Sequence, residues 1–149
     1  MTHHCRSKTE FTIREAPIPL KRPRITRSGR VYDPNKQLKA KTLEKINIAA
    51  HRALKIEGPV HIDFVFCMQV PKSASKKKQA DLEGKFHAIK PDIDNLVKYY
   101  LDVIADKYIE DDSRVVSMTA RKIQKMEPYV KISISQVNDE NTNVSSTNS

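Results

Sequence analysis

Cysteine and glycine are scarce in this chain of 149 residues, and long apolar runs are missing. Two cysteines, Cys5 and Cys67, build neither a disulfide framework nor a closed four-ligand zinc site. The three glycines, Gly29, Gly58 and Gly84, stand too far apart for a G-x-G-x-x-G loop. A P-loop and an H-E-x-x-H pair are also absent, and no aspartate series contains the glycine that a calcium loop requires. No segment approaches the roughly 20 apolar residues of a membrane span. The first residues (MTHHCRSKTEF) show no apolar stretch before a small-residue cleavage site. Nucleotide-binding loop, zinc protease, EF-hand, disulfide-rich secreted and membrane classes are set aside together. The expectation is a cytoplasmic protein with reduced thiols and no membrane partner. About 150 residues bury about 68–70% of the surface that the unfolded chain exposes, enough for one domain without staples.

Positive charge, by contrast, is abundant: 27 Lys and Arg against 18 acids, a net +9. Residues 1–40 hold ten basic residues against three acids, and residues 71–90 hold six against two. Between the second basic stretch and the C-terminal strands, residues 91–112 reverse the balance, with seven acids and two lysines. Clustered cations attract polyanions. A nucleic-acid enzyme needs such surface for phosphates, and a small carboxylate cluster for the divalent cation that neutralises the reacting one. The plainer explanation of the acidic stretch is a solvated helix face.

The expected element order is strand, hairpin, helix, strand, helix, strand, strand. Residues 10–15 (EFTIRE) alternate apolar and polar before prolines 17 and 19. Ser28-Gly29 turns a hairpin with arms 24–26 and 30–32, a loop rich in arginine. Asp33-Pro34 starts a helix to about residue 56, with Leu43, Ile46, Ala50, Ala53 and Leu54 as its core stripe. Val60, Ile62, Phe64, Phe66, Met68 and Val70 occupy every second position, so residues 60–70 read as a central strand, in which Cys67 is a small buried hydrophobe. Residues 72–84 form a mobile basic loop or a short Ser-capped helix. A second main helix over 92–106 buries Ile93, Val97, Tyr100, Leu101 and Ile104. Strands 113–123 and 129–137 are expected to pair antiparallel across a short turn. The sum is an α+β domain over 1–137, a mixed sheet with two main helices packed on it, followed by a disordered polar tail over 138–149.

Asp92 and Asp94 flank Ile93 at the second helix start. A capping role explains either one alone. Lys98, four residues after Asp94, projects from the same helical face, and Asp102 lies one turn further, where it is a candidate to hold Lys98 in place. Asp111-Asp112 immediately precedes the next strand, so a helix running back along that strand is expected to gather the acids into one group. Three or four carboxylates with open positions suit Mg²⁺, which binds one or two carboxylates, several waters and substrate phosphate oxygens. Pro91-Asp92 also opens the restriction-nuclease signature, but no later acid has lysine two positions on. His3, His4 and Cys5 read as a terminus without a metal, and neither His61 nor His87 has an identifiable partner.

The run Lys90-Pro91-Asp92-Ile93-Asp94-Asn95-Leu96-Val97-Lys98, then Leu101-Asp102, then Asp111-Asp112-Ser113-Arg114-Val115-Val116, resembles the RusA family of Holliday-junction resolvases. That resemblance implies a RusA-like fold and a homodimeric endonuclease that nicks four-way DNA junctions symmetrically. It implies Mg²⁺ as cofactor, with Mn²⁺ the expected substitute. Metal-binding aspartates match Asp92, Asp94 and Asp112, the functional lysine matches Lys98, and Asp111, an acid adjacent to the essential one, is counted with the candidate metal ligands. The expected phosphate contacts are Arg22, Arg24, Arg27 and Arg30 with Lys76, Lys77 and Lys78. Two alternatives stand beside this reading: a basic nucleic-acid-binding protein without catalysis, and a metal nuclease acting on other branched DNA or on RNA.

Overall fold

The strand with the longest apolar every-second-residue pattern, Val60–Gln69, lies inside the sheet, paired on both edges. The computed structural model describes residues 7–138. In chain order its elements are β1 (Lys8–Ile13), β2 (Arg24–Ile25), β3 (Val31–Tyr32), α1 (Lys36–Ala49), β4 (Val60–Gln69), α2 (Lys76–Leu82), α3 (Ile93–Ile104), β5 (Val115–Lys125) and β6 (Tyr129–Gln136), with a 3-10 turn at Asp112–Arg114 before β5. The main sheet has the order β1-β6-β4-β5, and β2 and β3 form a separate hairpin as expected. This is the α+β arrangement read from the sequence. The tail after Asn138, and His3, His4 and Cys5, lie outside the described residues.

β5 and β6 do not pair with each other, contrary to the expectation. β4 separates them, parallel to β5 and antiparallel to β6. The residues between Lys125 and Tyr129 suffice for this, because stepping over one strand needs about 10 Å and four peptide steps span up to about 14 Å. Burial explains the choice: Val60, Ile62, Phe64 and Phe66 are all fully buried, so β4 needs neighbours on both sides. No residue of β5 is fully buried and its first half is mostly exposed, which suits an edge.

Phe11, Ile132, Phe64 and Ala120 lie in register across the four strands and face α1 and α3. The opposite face is polar. There His61 does have partners: Nε2 meets Asp63 Oδ1 at 2.8 Å and Nδ1 meets Ser117 Oγ at 2.7 Å, while the Thr119 hydroxyl donates to Asp63. Cys67 is fully buried, and burial pushes its thiol above the ordinary value.

Both main helices differ in detail from the expectation. Asp33 does not cap α1; Asn35 stands at the N-cap, and the Asp33 carboxylate accepts from the Asn35 backbone N–H at 2.8 Å and from its amide at 2.7 Å. The helix ends at Ala49 because His51 and Arg52 both adopt φ of +52°, a left-handed conformation that cannot continue it. Beyond that break the helical period is lost, so Leu54 is 88% exposed and Ile56 is the buried residue instead. On α3 the buried face is Leu96, Tyr99, Tyr100, Val103 and Ile104; Val97 and Leu101 border the core, and Ile93 is exposed. The face rotates toward Tyr99 because its hydroxyl finds Thr42 Oγ1 on α1 at 2.9 Å, and the Tyr100 hydroxyl accepts from Ile18 N at 3.1 Å. Each buried phenol thereby satisfies its polar end.

Candidate active site

The chain reaches α3 along the outer edge of β5. After α2, whose Ser75 cap accepts from Lys78 N at 3.2 Å as its sequence suggests, Gly84 N donates to Gln124 O, Gln124 N to Lys85 O, and His87 N to Lys122 O. These bonds tie the basic segment that was expected to be a mobile loop to the end of the sheet. Lys76, Lys77 and Lys78 are exposed on it.

From the helix-facing side of β5, Lys122 Nζ then donates to Ile89 O and to Pro91 O, each at 2.6 Å. The next residue is Asp92. Its backbone is the N-cap of α3, but its side chain makes no capping bond, so capping does not account for this exposed carboxylate. Asp94 is exposed in the first turn and accepts from Asn95 N at 2.9 Å. Both sit where free N–H groups and the helix dipole favour negative charge. Lys98 is exposed one turn on. Asp102 does not hold it: the Asp102 carboxylate takes Lys39 of α1 instead, at 3.1 Å. His87, behind this loop, is held below the ordinary imidazole value by burial and then by the Lys122 ammonium.

The hairpin joins the same region. Leu20 N donates to Asn95 O at 3.0 Å, and Lys21 is clamped by Asn35, which accepts from Lys21 N at 2.9 Å and donates to Lys21 O at 2.8 Å. Arg22, Arg24, Arg27 and Arg30 follow directly, all exposed. One basic element thus starts at the first turn of α3, and the other leads into it along the chain.

Asp111 and Asp112 lie at the other end of α3. Ala105 bridges Ile109, Ile109 bridges Ile56, and the Glu110 carboxylate accepts from Gly58 N, all beside the start of β4 and β5. α3 therefore runs antiparallel to β5, and its 12 residues alone span about 18 Å. The expectation that the acids gather in one group is not met within one chain: among the described residues no cluster of three metal-ligating side chains occurs. The reason is that the chain crosses from the end of α3 to the nearby start of β5, without first returning to the start of the helix. Asp111 is engaged locally, accepting from Ser113 N at 3.3 Å and Ser113 Oγ at 2.5 Å, and the Ser113 hydroxyl holds its carboxyl below the usual range. Asp112 is exposed beside it.

Lys122 and Asn35 are the two residues of this region that the sequence reading passed over. Lys122 carries a signal, since it is a lysine in the helix-facing phase of β5, with Ala120 and Gln124. Asn35 carries none, because its partner Lys21 is not marked by any spacing.

A family model described as Endodeoxyribonuclease RusA matches residues 15–135. The chain is also 35% identical over 136 residues to the protein of Bacillus subtilis (strain 168) named "Uncharacterized protein YqaN", an alignment covering 86% of this chain and 96% of that one.

Proposed function

Since the chain belongs to the RusA endodeoxyribonuclease family, a family of junction nucleases, we propose that it resolves four-way DNA junctions by paired symmetric nicks in a Mg²⁺-dependent reaction. The observation that carries this beyond family membership is the exposed Asp92-Ile93-Asp94 pair, unclaimed by capping at Asp92 and approached by two basic elements. Exposed carboxylates, all hard oxygen donors, fit Mg²⁺, and two of them with water and phosphate oxygens are within its usual demand. Asp92, Asp94 and Asp112 would hold the ion. When bound, it supplies charge neutralisation at the phosphate and a lower pKa for attacking water. Lys98 donates to the charge that develops on the phosphorus oxygens, a role worth about 10²–10³ in rate. Arg22, Arg24, Arg27, Arg30 and Lys76, Lys77, Lys78 hold phosphates and fix the register of the DNA without reading bases.

The separation of Asp112 from Asp92 and Asp94 gives the expected homodimer a chemical reason. Residues 84–87 cover the β5 edge at Lys122–Gln124 and leave residues 115–121 open, with Val116 59% and Met118 42% exposed. An open edge is a template for a further strand. Two copies joined antiparallel there, about a two-fold axis at Met118, set Val115 of one opposite the partner subunit's Arg121. Asp112 then extends toward the partner subunit's Lys122 and Asp92. Each metal site is completed in trans, and the two sites share the two-fold symmetry of a four-way junction.

Cleavage of an end-labelled four-way junction, beside linear duplex and with Mg²⁺ or EDTA, tests the proposal. Nicks in opposed strands that require Mg²⁺ and vanish in Asp92→Asn are expected; junction binding without scission by the wild type refutes the catalytic assignment.

A further inference from the structure

The hairpin of β2 and β3 carries more than a phosphate clamp needs. Arg24 pairs with Tyr32 and Ile25 with Val31, and the turn is closed by Thr26 N to Arg30 O and Gly29 N to Thr26 O, both at 2.9 Å. Gly29, at φ +82°, supplies the left-handed residue that the turn requires. The form is therefore specified, yet its apolar residues are outside the core: Ile25 is 73% exposed, its cross-strand partner Val31 64%, and Tyr32 44%. Four exposed arginines surround them. Through Leu20 and Asn95 this hairpin starts beside the first turn of α3, where Asp92 and Asp94 stand.

An apolar pair within a guanidinium cluster suits few partners. A second hairpin of the same chain would bring its own four arginines against these. A linear duplex satisfies the arginines, but its bases are stacked and present only edges and phosphates to the apolar side chains. Branched DNA offers both chemistries together, an anionic backbone and base faces that have lost a stacking neighbour. Resting on the nuclease reading above, we propose that the hairpin is the branch-reading element: its arginines grip the strands at the crossover while the cross-strand pair Ile25 and Val31, on one face of the ribbon, covers unstacked bases. Preference for branched over linear DNA then resides in the hairpin, and the carboxylates supply only chemistry.

The test uses the full chain in EDTA with a four-way junction carrying 2-aminopurine beside the branch point, and a control with the probe in mid-arm. Wild type is compared with the double variant Ile25→Ser, Val31→Ser, whose sites are exposed; thermal melting verifies that it folds. Wild type should raise emission at the branch and leave the mid-arm probe unchanged. The variant should lose most of that rise and weaken junction binding by about tenfold, the order of one covered base, with duplex binding kept within about twofold. Retained emission and junction preference in the variant overturn the inference, as does equal loss of junction and duplex binding. Dissociation of the dimer by the same substitutions, seen in sedimentation, overturns it too, by making the pair a subunit contact. Mg²⁺-dependent cutting by the same wild-type preparation separates the two readings: if it cuts and the variant binds normally, only the hairpin assignment fails. If it binds and never cuts, the nuclease reading fails, and the fluorescence still decides the hairpin.

Discussion

Lys122 donates to two carbonyls, Ile89 O and Pro91 O, just before the first candidate metal ligand. Charge-assisted bonds of this kind are strong and directional. Lys122→Met keeps most of the aliphatic stem against the core but releases the 89–91 backbone, and with it the direction of Asp92. Junction cleavage should fall about 10–100-fold, the usual effect of losing a support of a metal ligand, and part of the loss should return as Mg²⁺ is raised. Lys122→Arg should lie between the two. A Mg²⁺ titration of cleavage checks this; a loss independent of Mg²⁺ would leave Lys122 with a role in folding only. The adjacent pair Asp111 and Asp112 offers a second contrast. Asp111 already serves Ser113, and Asp111→Asn keeps an oxygen that accepts the same bonds, so cleavage should stay within about threefold of wild type. Asp112→Asn should cost more than about 10²-fold, beyond what an outer partner alone is worth. Single-turnover rates on one junction compare them directly.

Asn35 stands at the N-cap position of α1, where its side chain makes no capping bond; it clamps the root of the hairpin through Lys21 and takes its own orientation from Asp33. It is buried, so Asn35→Ala leaves the Lys21 N–H and C=O without these partners and should cost about 2 kcal/mol, read as a melting point lowered by several degrees. The Asn35 bonds hold the Asp33 carboxyl below the usual range. A depressed folded-state value contributes stability that is present above the unfolded value near 4 and is lost as pH falls through the folded one. The melting-point gap between wild type and Asn35→Ala should therefore be full at pH 6 and narrow below about pH 4. Elements of this kind mark the limit of what is legible in the sequence. β4, the hairpin and the start of α3 were legible, because an apolar residue at every second position, Ser28-Gly29 and Pro91-Asp92 are local signals. The buried face of α3 was misjudged by its treatment of Tyr99, whose burial depends on a hydroxyl partner on another helix. The pairing of β5 was misjudged because a short turn normally means a hairpin, and only competition for the flanks of β4 reverses that. The motif nominates the candidate carboxylates; that they do not gather within one chain was not legible, since it depends on the direction of α3 along β5.

At the scale of the whole molecule, the main sheet carries helices on one face and an open stretch of edge, and the metal site proposed above is completed only by a second chain. Nine net positive charges disfavour association of two copies at long range, so in the proposed dimer apolar edge residues such as Val116 and Met118, together with a shared metal, would have to outweigh that repulsion. Sharing makes a sharp prediction. If Asp92 and Asp94 of one subunit act with Asp112 of the other, a mixed dimer of Asp92→Asn and Asp112→Asn subunits has one site with both substitutions and one site with neither. Each variant alone should be inactive, whereas mixing and re-equilibrating them should restore nicking of a junction, confined to one strand per dimer and without paired cuts. Sites built within single subunits predict no recovery at any ratio, because every site in the mixture then carries a substitution. Following nicked and resolved products separately on a supercoiled substrate with an extruded cruciform distinguishes these outcomes: linear product marks paired cuts, and open circles mark the single intact site. Recovery of open circles, rising with the proportion of mixed dimers and greatest near equal amounts of the two variants, places the active site between the subunits.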